Sequence, residues 1–470
     1  MTQFFNSLSK KKQSFRPLKR GRVSMYNCGP TVYDYVHIGN MRSFLLADLL
    51  RRYLEHKGLQ VTQIMNITDV GHMLHDADVG EDKIEAAAKK ENKTPQEVAA
   101  FFTEAFFKDI DRLNVRRAGV YPKASDHVNE MIAIIAKLLA NGHAYRVGND
   151  VYFDVSSFPD YGKLSGNTVQ GLNPGARIDV REEKKHPADF ALWIHNPKHL
   201  MQWESPWGPG YPGWHIECSA MSMKYLGETI DIHTGGEDNK FPHHECEIAQ
   251  SEGSTGQPFS RFWLHVTHLL VDGEKMAKSK GNFYRLDDLV KKGYAPRDVR
   301  YLLLSTHYRQ QLNFTFHGLD SAKSALARLD AFVDAMNLAK PEETGRRTTL
   351  AKKTLGIIDK KFDDDLNVAE ALAALFEYVR AMNHKLTGKT LTERDRENAV
   401  RLMKEVGDIL GFNFGSGSEE VPASVNALIE KRDQARAEKR FAEADRLRDE
   451  LKNLGWVVED TADGRRIKRA

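Results

Sequence analysis

Apolar and polar residues alternate over Arg22–Asn27, which predicts a β-strand. A helical pattern runs from Met41 to Lys57 and stops at Gly58, and Leu59–Met65 is predicted as the next strand. A strand, a tight loop and a helix before a second strand are typical of an open α/β sheet. The first 120 residues are therefore predicted to form the first half of such a sheet.

The same sheet is predicted to resume after an insertion of about 80 residues. The insertion is predicted to contain a helix over Asp126–Asn141 and a hairpin of Ala144–Val147 with Val151–Asp154. Beyond it, Thr229–His233 alternates as a strand and leads into Gly235-Gly236. Paired glycines after a strand favour a ligand site at the carboxyl edge of the sheet.

The last third of the chain has mainly helical periodicity. Residues 321–411 contain few helix breakers, and a Gly/Ser/Glu-rich linker follows over 411–420. One helix is predicted from Ser424 to Leu454, followed by a strand at Trp456 and a basic strand at 465–469. An aromatic residue beside basic residues suits stacking on unpaired bases, although such an end is more often a frayed basic tail.

Composition limits the class of protein but does not identify the function. The 470 residues carry a net charge of +3 and 28% charged residues, which describes an ordinary soluble protein without a global basic excess. No apolar run approaches the roughly 20 residues of a membrane span. Any contact with nucleic acid must therefore come from local patches.

Two short peptides point to nucleotide chemistry. His37-Ile38-Gly39-Asn40 lies at the predicted start of a helix, where backbone N–H groups favour phosphate and Gly39 lets a purine approach the backbone. Lys275-Met276-Ala277-Lys278-Ser279 places two ammonium groups where they could neutralise a leaving pyrophosphate. Together, and in this order, they predict attack on the α-phosphate of ATP.

Cys28, Cys218, His243 and Glu247 offer two thiolates, an imidazole and a carboxylate, a plausible Zn²⁺ set. His243 and Glu247 are four residues apart and would share one face of a helix, unlike Cys246, which is excluded. Spacing alone leaves open that the cysteines are ordinary core residues and that the His/Glu pair is a surface pair.

The two peptides resemble the His-Ile-Gly-His and Lys-Met-Ser-Lys-Ser signatures of class I aminoacyl-tRNA synthetases, with Asn40 and Ala277 as departures. The segments Cys28–Asp34, Gly213–Ala220 and Phe241–Glu247 narrow the resemblance to cysteinyl-tRNA synthetases. It extends over nearly the whole chain. Asn40 still offers an amide donor, and Ala277 removes a hydroxyl group but no charge.

The resemblance implies a Rossmann-like, doubly wound parallel sheet with an inserted connective segment, a C-terminal helical anticodon-binding bundle and a small terminal module. It implies one Zn²⁺ per chain at the four residues above, and Mg²⁺ with ATP. Implied partners are tRNA(Cys), ATP and L-cysteine, for a monomeric cytoplasmic enzyme without membrane contact. Expected domains are 1–119 and 203–270 (catalytic halves), 120–202 (insertion), 271–320 (signature loop and stem contact), 321–411 (helical bundle) and 421–470 (terminal module).

The resemblance also implies residue roles. His37, Asn40, Lys275 and Lys278 are expected to be catalytic, and with Gly39 and Ser279 to bind ATP. Thr31, Trp214, His233 and Asp238 are expected to bind cysteine, and Trp456, Arg465 and Arg466 to contact RNA.

Two alternatives remain from other classes. A cysteine ligase that acts on an amino-sugar, as in mycothiol biosynthesis, shares the zinc and ATP motifs but needs no anticodon module. A non-catalytic RNA-binding protein would have no use for two lysines at a leaving pyrophosphate.

Overall fold

The structure, a computed structural model, describes nearly all of the chain in two compact units. The first contains residues 1–322 and 357–373, and the second contains residues 323–356 and 374–470. Described residues are 1–70, 82–167, 184–277, 280–341, 349–415, 423–438, 440–453, 456–461 and 464–469. The domain boundaries predicted from sequence remain predictions.

A four-stranded parallel sheet organises the first unit. Its order is β10 (Ser260–Val266), β9 (Ile230–Gly236), β3 (Arg22–Asn27) and β4 (Gln60–Met65). Strands from both halves of the chain meet at the centre, where Met25 of β3 faces Ile232 of β9. The predicted parallel α/β fold, resumed after an insertion, is confirmed.

Local sequence signals set where the helices of this unit begin. Helix α1 starts after His37, whose side chain caps it, and α3 starts after Thr94, which forms a capping box with Glu97. Most residues of α1 from Met41 to Leu54 are buried, which places this helix in the core. The helices are α1 (Ile38–His56), α2 (Lys83–Glu91), α3 (Pro95–Arg112), α5 (Trp214–Leu226), α6 (His243–Thr255), α7 (Leu286–Lys291) and α8 (Pro296–Ser305).

The insertion carries the predicted helix and hairpin. Its helix α4 (Val128–Ala140) follows a short 3-10 turn and packs against α5 and α6. The hairpin of β5 and β6 continues into an antiparallel sheet of four strands. Those strands are β5 (Ala144–Val147), β6 (Asp150–Phe153), β7 (Phe190–Ile194) and β8 (Tyr211–Pro212).

Small sheets complete the first unit. The N-terminal β1 (Gln3–Asn6) pairs with β2 (Lys11–Ser14) and contacts the edge strand β10. Strand β11 (Leu269–Val271) lies between β12 (Glu274–Lys275) and β13 (Leu312–Phe314). The β11–β12 turn therefore leads directly into the second signature peptide.

The second unit is mainly helical, and its terminal module corrects one prediction. The single helix expected over Ser424–Leu454 is two helices, because the Arg440 N–H donates to the Ala435 carbonyl at 2.7 Å and closes the first of them. The predicted terminal strands form a hairpin. The elements are α9 (Phe316–Leu338), α10 (Leu350–Asp363) and α11 (Val368–Thr387), each shared with the first unit, then α12 (Glu393–Leu410), α13 (Ala423–Ala437), α14 (Phe441–Asn453), β14 (Trp456–Thr461) and β15 (Gly464–Arg469).

In the part of the chain that the structure describes, no helix combines the length and apolarity needed to cross a membrane.

Candidate active site and metal centre

A cavity of about 330 Å³ opens at the carboxyl ends of β3, β4 and β9. This is the edge at which parallel α/β sheets bind ligands. Its lining joins the first signature to the thiol-bearing segments. The lining residues are Cys28, Gly29, Pro30, Thr31, Tyr33, Asp34, Tyr35, Val36, His37, Asn40, Ser43, Phe44, Asn66, Thr68, Trp214, Cys218, Gly236, Asn239, His243 and Phe283.

The four residues predicted as metal ligands meet at this cavity, which Cys28, Cys218 and His243 line and Glu247 does not. Ligand atoms of Cys28, Cys218, His243 and Glu247 all lie within 4.8 Å of one another. Cys28 follows β3, Cys218 lies on α5, and the other two occupy the first turns of α6. The His243 Nε2 lies 3.1 Å from a Glu247 carboxylate oxygen, consistent with the predicted i, i+4 placement on one helix face.

Burial gives this cluster its chemical character. The Glu247 side chain is fully buried, and desolvation raises its pKa above the ordinary carboxyl value. Desolvation also raises the pKa of the Cys28 thiol well above its usual value and raises that of Cys218. Groups that must lose protons to become ligands are held here in a medium that disfavours negative charge. A divalent cation would supply the missing positive charge, and the donor set suits Zn²⁺.

A second set shares Cys28 and Glu247 with the first and adds His233 and His244, again within 4.8 Å. Neither of these two histidines is among the residues that line the cavity, whereas Cys218 and His243 are. A metal held by Cys28, Cys218, His243 and Glu247 would therefore be the one accessible from the cavity. Because this set already offers four protein donors, a substrate sulfur would have to add as a fifth ligand.

The residues predicted to bind cysteine separate into two groups. Thr31 and Trp214 line the cavity, and the Trp214 ring stacks on His243 with centroids 4.4 Å apart. His233 is instead buried behind Glu247, with its Nε2 2.9 Å from the carboxylate. Asp238 is exposed on a short 3-10 turn and does not line the cavity.

The first signature forms a closed helix cap. The His37 Nδ1 accepts hydrogen bonds from the Gly39 and Asn40 N–H groups at 3.1 and 3.3 Å, and the Asn40 side chain accepts from the His37 N–H. The Ile38 N–H donates to the Tyr284 carbonyl. The backbone donors expected to favour phosphate therefore have protein partners here, which leaves polar side chains such as Asn40 to face the cavity.

Met276 brings the second signature to the first. A Cβ built on Gly39 would lie 2.9 Å from the His37 ring and 3.1 Å from the Met276 methyl group. A larger residue at position 39 would therefore displace the His37 ring or the Met276 methyl group, which is a reason for glycine different from the approach of a purine. Lys275 is exposed at the end of β12. Lys278 and Ser279 lie outside the described residues.

Several polar contacts around the candidate site were not predicted from the sequence. The His215 Nδ1 lies 2.9 Å from the His243 Nδ1, and the His244 Nδ1 lies 2.7 Å from the His265 Nε2. Asn66, at the end of β4, accepts a hydrogen bond from the Gly29 N–H at 2.8 Å. The sequence signal for these contacts was the high number of histidines around positions 215, 233, 243 and 265.

The residues predicted to contact RNA lie on the terminal hairpin of the second unit. Trp456 is the first residue of β14, and Arg465 and Arg466 belong to β15. In the hairpin register, Asp460 pairs with Arg465 and Glu459 with Arg466. Their role in RNA binding stays a prediction.

Comparison with protein families matches three segments of the chain. Residues 14–324 match the class I tRNA synthetase (C) catalytic domain, 358–415 a DALR domain, and 418–467 the cysteinyl-tRNA ligase anticodon-binding domain. Among solved structures, a methionyl-tRNA synthetase of Mycobacterium tuberculosis in complex with methionyl-adenylate is similar, with a TM-score of 0.61 and 14% identity. That alignment covers 83% of this chain and 92% of the other. The fold is that of a class I tRNA synthetase.

Curated relatives narrow the assignment. Proteins named cysteine–tRNA ligase are 45% identical in Caldicellulosiruptor saccharolyticus, over 99% of each chain, and 46% identical in a strain of Thermus thermophilus, over 98% of each. A third, from Carboxydothermus hydrogenoformans, is 44% identical over 99% of this chain and all of its own. The chain belongs to the cysteine–tRNA ligase family.

Proposed function

We propose that this protein activates L-cysteine with ATP and transfers it to tRNA(Cys). The observation that carries the proposal is the convergence of Cys28, Cys218, His243 and Glu247 at a cavity that the first three of them line together with His37 and Asn40 of the first signature. Family membership over the full length of the chain supports the same reaction.

Cys28, Cys218, His243 and Glu247 would hold one Zn²⁺, since their buried N, O and S donors fit that ion. When bound, the ion would favour the thiolate of cysteine over the hydroxyl of serine, a distinction that shape and packing make poorly. His243 is held from both sides, by the Trp214 ring and by His215, so its orientation is fixed before any ligand arrives.

The chain needs no side-chain nucleophile for activation. The substrate carboxylate would attack the α-phosphate of ATP, which arrives with Mg²⁺, and pyrophosphate would leave. We assign Asn40 and the His37 cap to positioning the nucleotide beside the cysteine, supported by their place in the cavity lining. By resemblance, Lys275 and Lys278 would stabilise the charge that develops on the leaving pyrophosphate, and Ser279 and Gly39 would complete the ATP site.

A hydroxyl of the terminal ribose of tRNA would then attack the carbonyl carbon of cysteinyl-adenylate, so that an ester bond forms and AMP leaves. The terminal hairpin with Trp456, Arg465 and Arg466 would bind the anticodon end. The match of residues 418–467 to an anticodon-binding domain supports this assignment. It also speaks against an amino-sugar acceptor, which has no anticodon. We keep the expectation that the enzyme works as a cytoplasmic monomer, where its thiol ligands would stay reduced.

Transfer of labelled cysteine to tRNA(Cys) tests this function. The proposal expects charging with cysteine, none with serine, and loss of charging after Cys218→Ser, which replaces a buried sulfur donor by oxygen. The matched control is Cys246→Ser, because Cys246 is also buried and yet lies outside both metal-ligand sets. Full charging by Cys218→Ser, or equal loss in both variants, would refute the assignment.

A further inference from the structure

We propose that an aromatic and basic surface beside the cavity binds the unpaired 3′ nucleotides of the acceptor RNA. This surface, called here the acceptor shelf, consists of Tyr33, Tyr35, Phe101, Lys93 and Arg285. The inference deepens the proposed function and rests on it, since it names where the acceptor end lies while its ribose reaches the adenylate.

The shelf extends from the cavity to the protein surface. Tyr33 and Tyr35 line the cavity, and the Tyr35 ring contacts Phe101 with centroids 6.1 Å apart and nearly perpendicular planes. Phe101, on α3, is 44% exposed, unusual for a phenylalanine on a helix whose other face is buried. An aromatic path therefore runs from the proposed reaction centre to solvent.

A cation lies beside each exposed part of this path. The Arg285 guanidinium carbon is 4.4 Å from the Tyr35 ring centroid, and the Lys93 Nζ is 4.9 Å from that of Phe101. The Lys83 Nζ is 5.6 Å from the Tyr33 ring. Three chain segments thus supply the same pairing of a ring with a cation.

Further lysines lie near the shelf. Lys89 and Lys90 are exposed in the last turn of α2, close in sequence to Lys93. Carboxylates balance part of this positive charge, because Glu91 lies 2.8 Å from Lys93, Asp34 lies 3.5 Å from Arg285, and Glu97, exposed on α3, also interacts with Lys93. Glu91 and Asp34 also hold these cations near their rings.

Rings with cations beside them match the chemistry of single-stranded nucleic acid, whose bases stack on aromatic faces while phosphates meet ammonium and guanidinium groups. Continuity with the cavity selects the 3′ end among the parts of a tRNA. A nucleotide cofactor alone would not need a surface that continues outward to Phe101 and Lys93.

The shelf is tested by measuring the affinity of the wild type and of variants for intact tRNA(Cys) and for the same RNA without its unpaired 3′ nucleotides. Phe101→Ala should bind intact tRNA about tenfold more weakly than the wild type, the effect of losing one stacked base. It should bind the truncated RNA as the wild type does. Lys93→Glu should show the same pattern. Phe107→Ala is the control, because Phe107 lies on the same helix with its ring 3.8 Å from the Arg117 guanidinium carbon but packs on Tyr121, which is not part of the shelf; it should change neither affinity.

Cysteine-dependent ATP–pyrophosphate exchange without tRNA tests whether a shelf variant still activates cysteine, and so distinguishes a failure of the shelf from a failure of the proposed function. The proposal expects exchange by Phe101→Ala at the wild-type rate and with the wild-type KM for ATP. Equal loss of affinity for both RNAs, no loss for either, or a raised KM for ATP would overturn the shelf alone. Failure of the wild type to charge tRNA at all would overturn the proposed function and the shelf with it.

Discussion

The surroundings of His233 indicate support of the metal ligand Glu247, whereas the family resemblance implies that it binds cysteine. Sequence likeness places it at the amino or carboxyl group of cysteine. In the structure it is 0% exposed, lies outside the cavity lining, and its Nε2 is 2.9 Å from the Glu247 carboxylate, itself fully buried. We therefore predict that His233→Leu lowers zinc affinity, and that the loss of cysteine activation follows from that.

The magnitude follows from one charge-assisted hydrogen bond in a dry site. Such a bond contributes about 1.5–3 kcal/mol, and its loss leaves one Glu247 oxygen unpaired. This corresponds to roughly 10- to 100-fold weaker metal binding, the range expected for a residue that orients a ligand. His233→Gln can place an amide N–H near the position of Nε2 and should recover most of the affinity.

Competition with a chromophoric chelator measures zinc affinity, and ATP–pyrophosphate exchange measures the KM for cysteine at saturating zinc. Asp238→Asn is the comparison, because that residue has the same sequence-based assignment but is exposed. It should change both quantities less than twofold. A raised KM for cysteine with unchanged zinc affinity in His233→Leu would refute the reasoning.

Three more predictions follow from close contacts and buried charge. Gly29→Ala would place a Cβ 1.8 Å from the Asn66 backbone oxygen, so urea unfolding should show a loss of about 3 kcal/mol; an unchanged midpoint would contradict it. Gly39→Ala would push against the Met276 methyl group at 3.1 Å and should slow ATP–pyrophosphate exchange about 10- to 100-fold with little change in melting temperature. Chelation should lower the melting temperature more at pH 7 than at pH 5: burial raises the pKa of Glu247 above the ordinary carboxyl value, so the metal-free fold is favoured while that carboxyl is protonated and loses this stability as pH rises. An equal or smaller decrease at pH 7 would contradict that sign.

Much of the catalytic unit could be predicted because local patterns and the final fold agree. The alternation over Arg22–Asn27, the helical pattern that stops at Gly58 and the hairpin that begins at Ala144 each correspond to an observed element. The i, i+4 spacing of His243 and Glu247 likewise becomes one helix face. Such signals depend on a few neighbouring residues, which the sequence displays directly.

Contacts between distant segments could not be predicted in the same way. Nothing near Gly39 in sequence shows that Met276 packs against it, and nothing near His243 shows that His215 faces it at 2.9 Å. The break near 440 was not predicted because the helical pattern in the sequence continues through it. In the structure, the bond from the Arg440 N–H to the Ala435 carbonyl marks where the first helix closes.

His233 and Asp238 were assigned to the same pocket by the family resemblance. Both belong to the stretch from β9 into the turn after it. Strand alternation and the turn direct one side chain into the core behind Glu247 and the other to solvent.

The most direct test of the account is ATP–pyrophosphate exchange with cysteine and with serine as rival substrate, together with the zinc content of the same sample. We predict exchange with cysteine, at least roughly 100-fold less with serine, and about one zinc per chain, as expected when a metal reads the thiolate. Exchange that survives complete removal of zinc, or serine activated as well as cysteine, would contradict the central claim that Cys28, Cys218, His243 and Glu247 form a substrate-selecting metal centre.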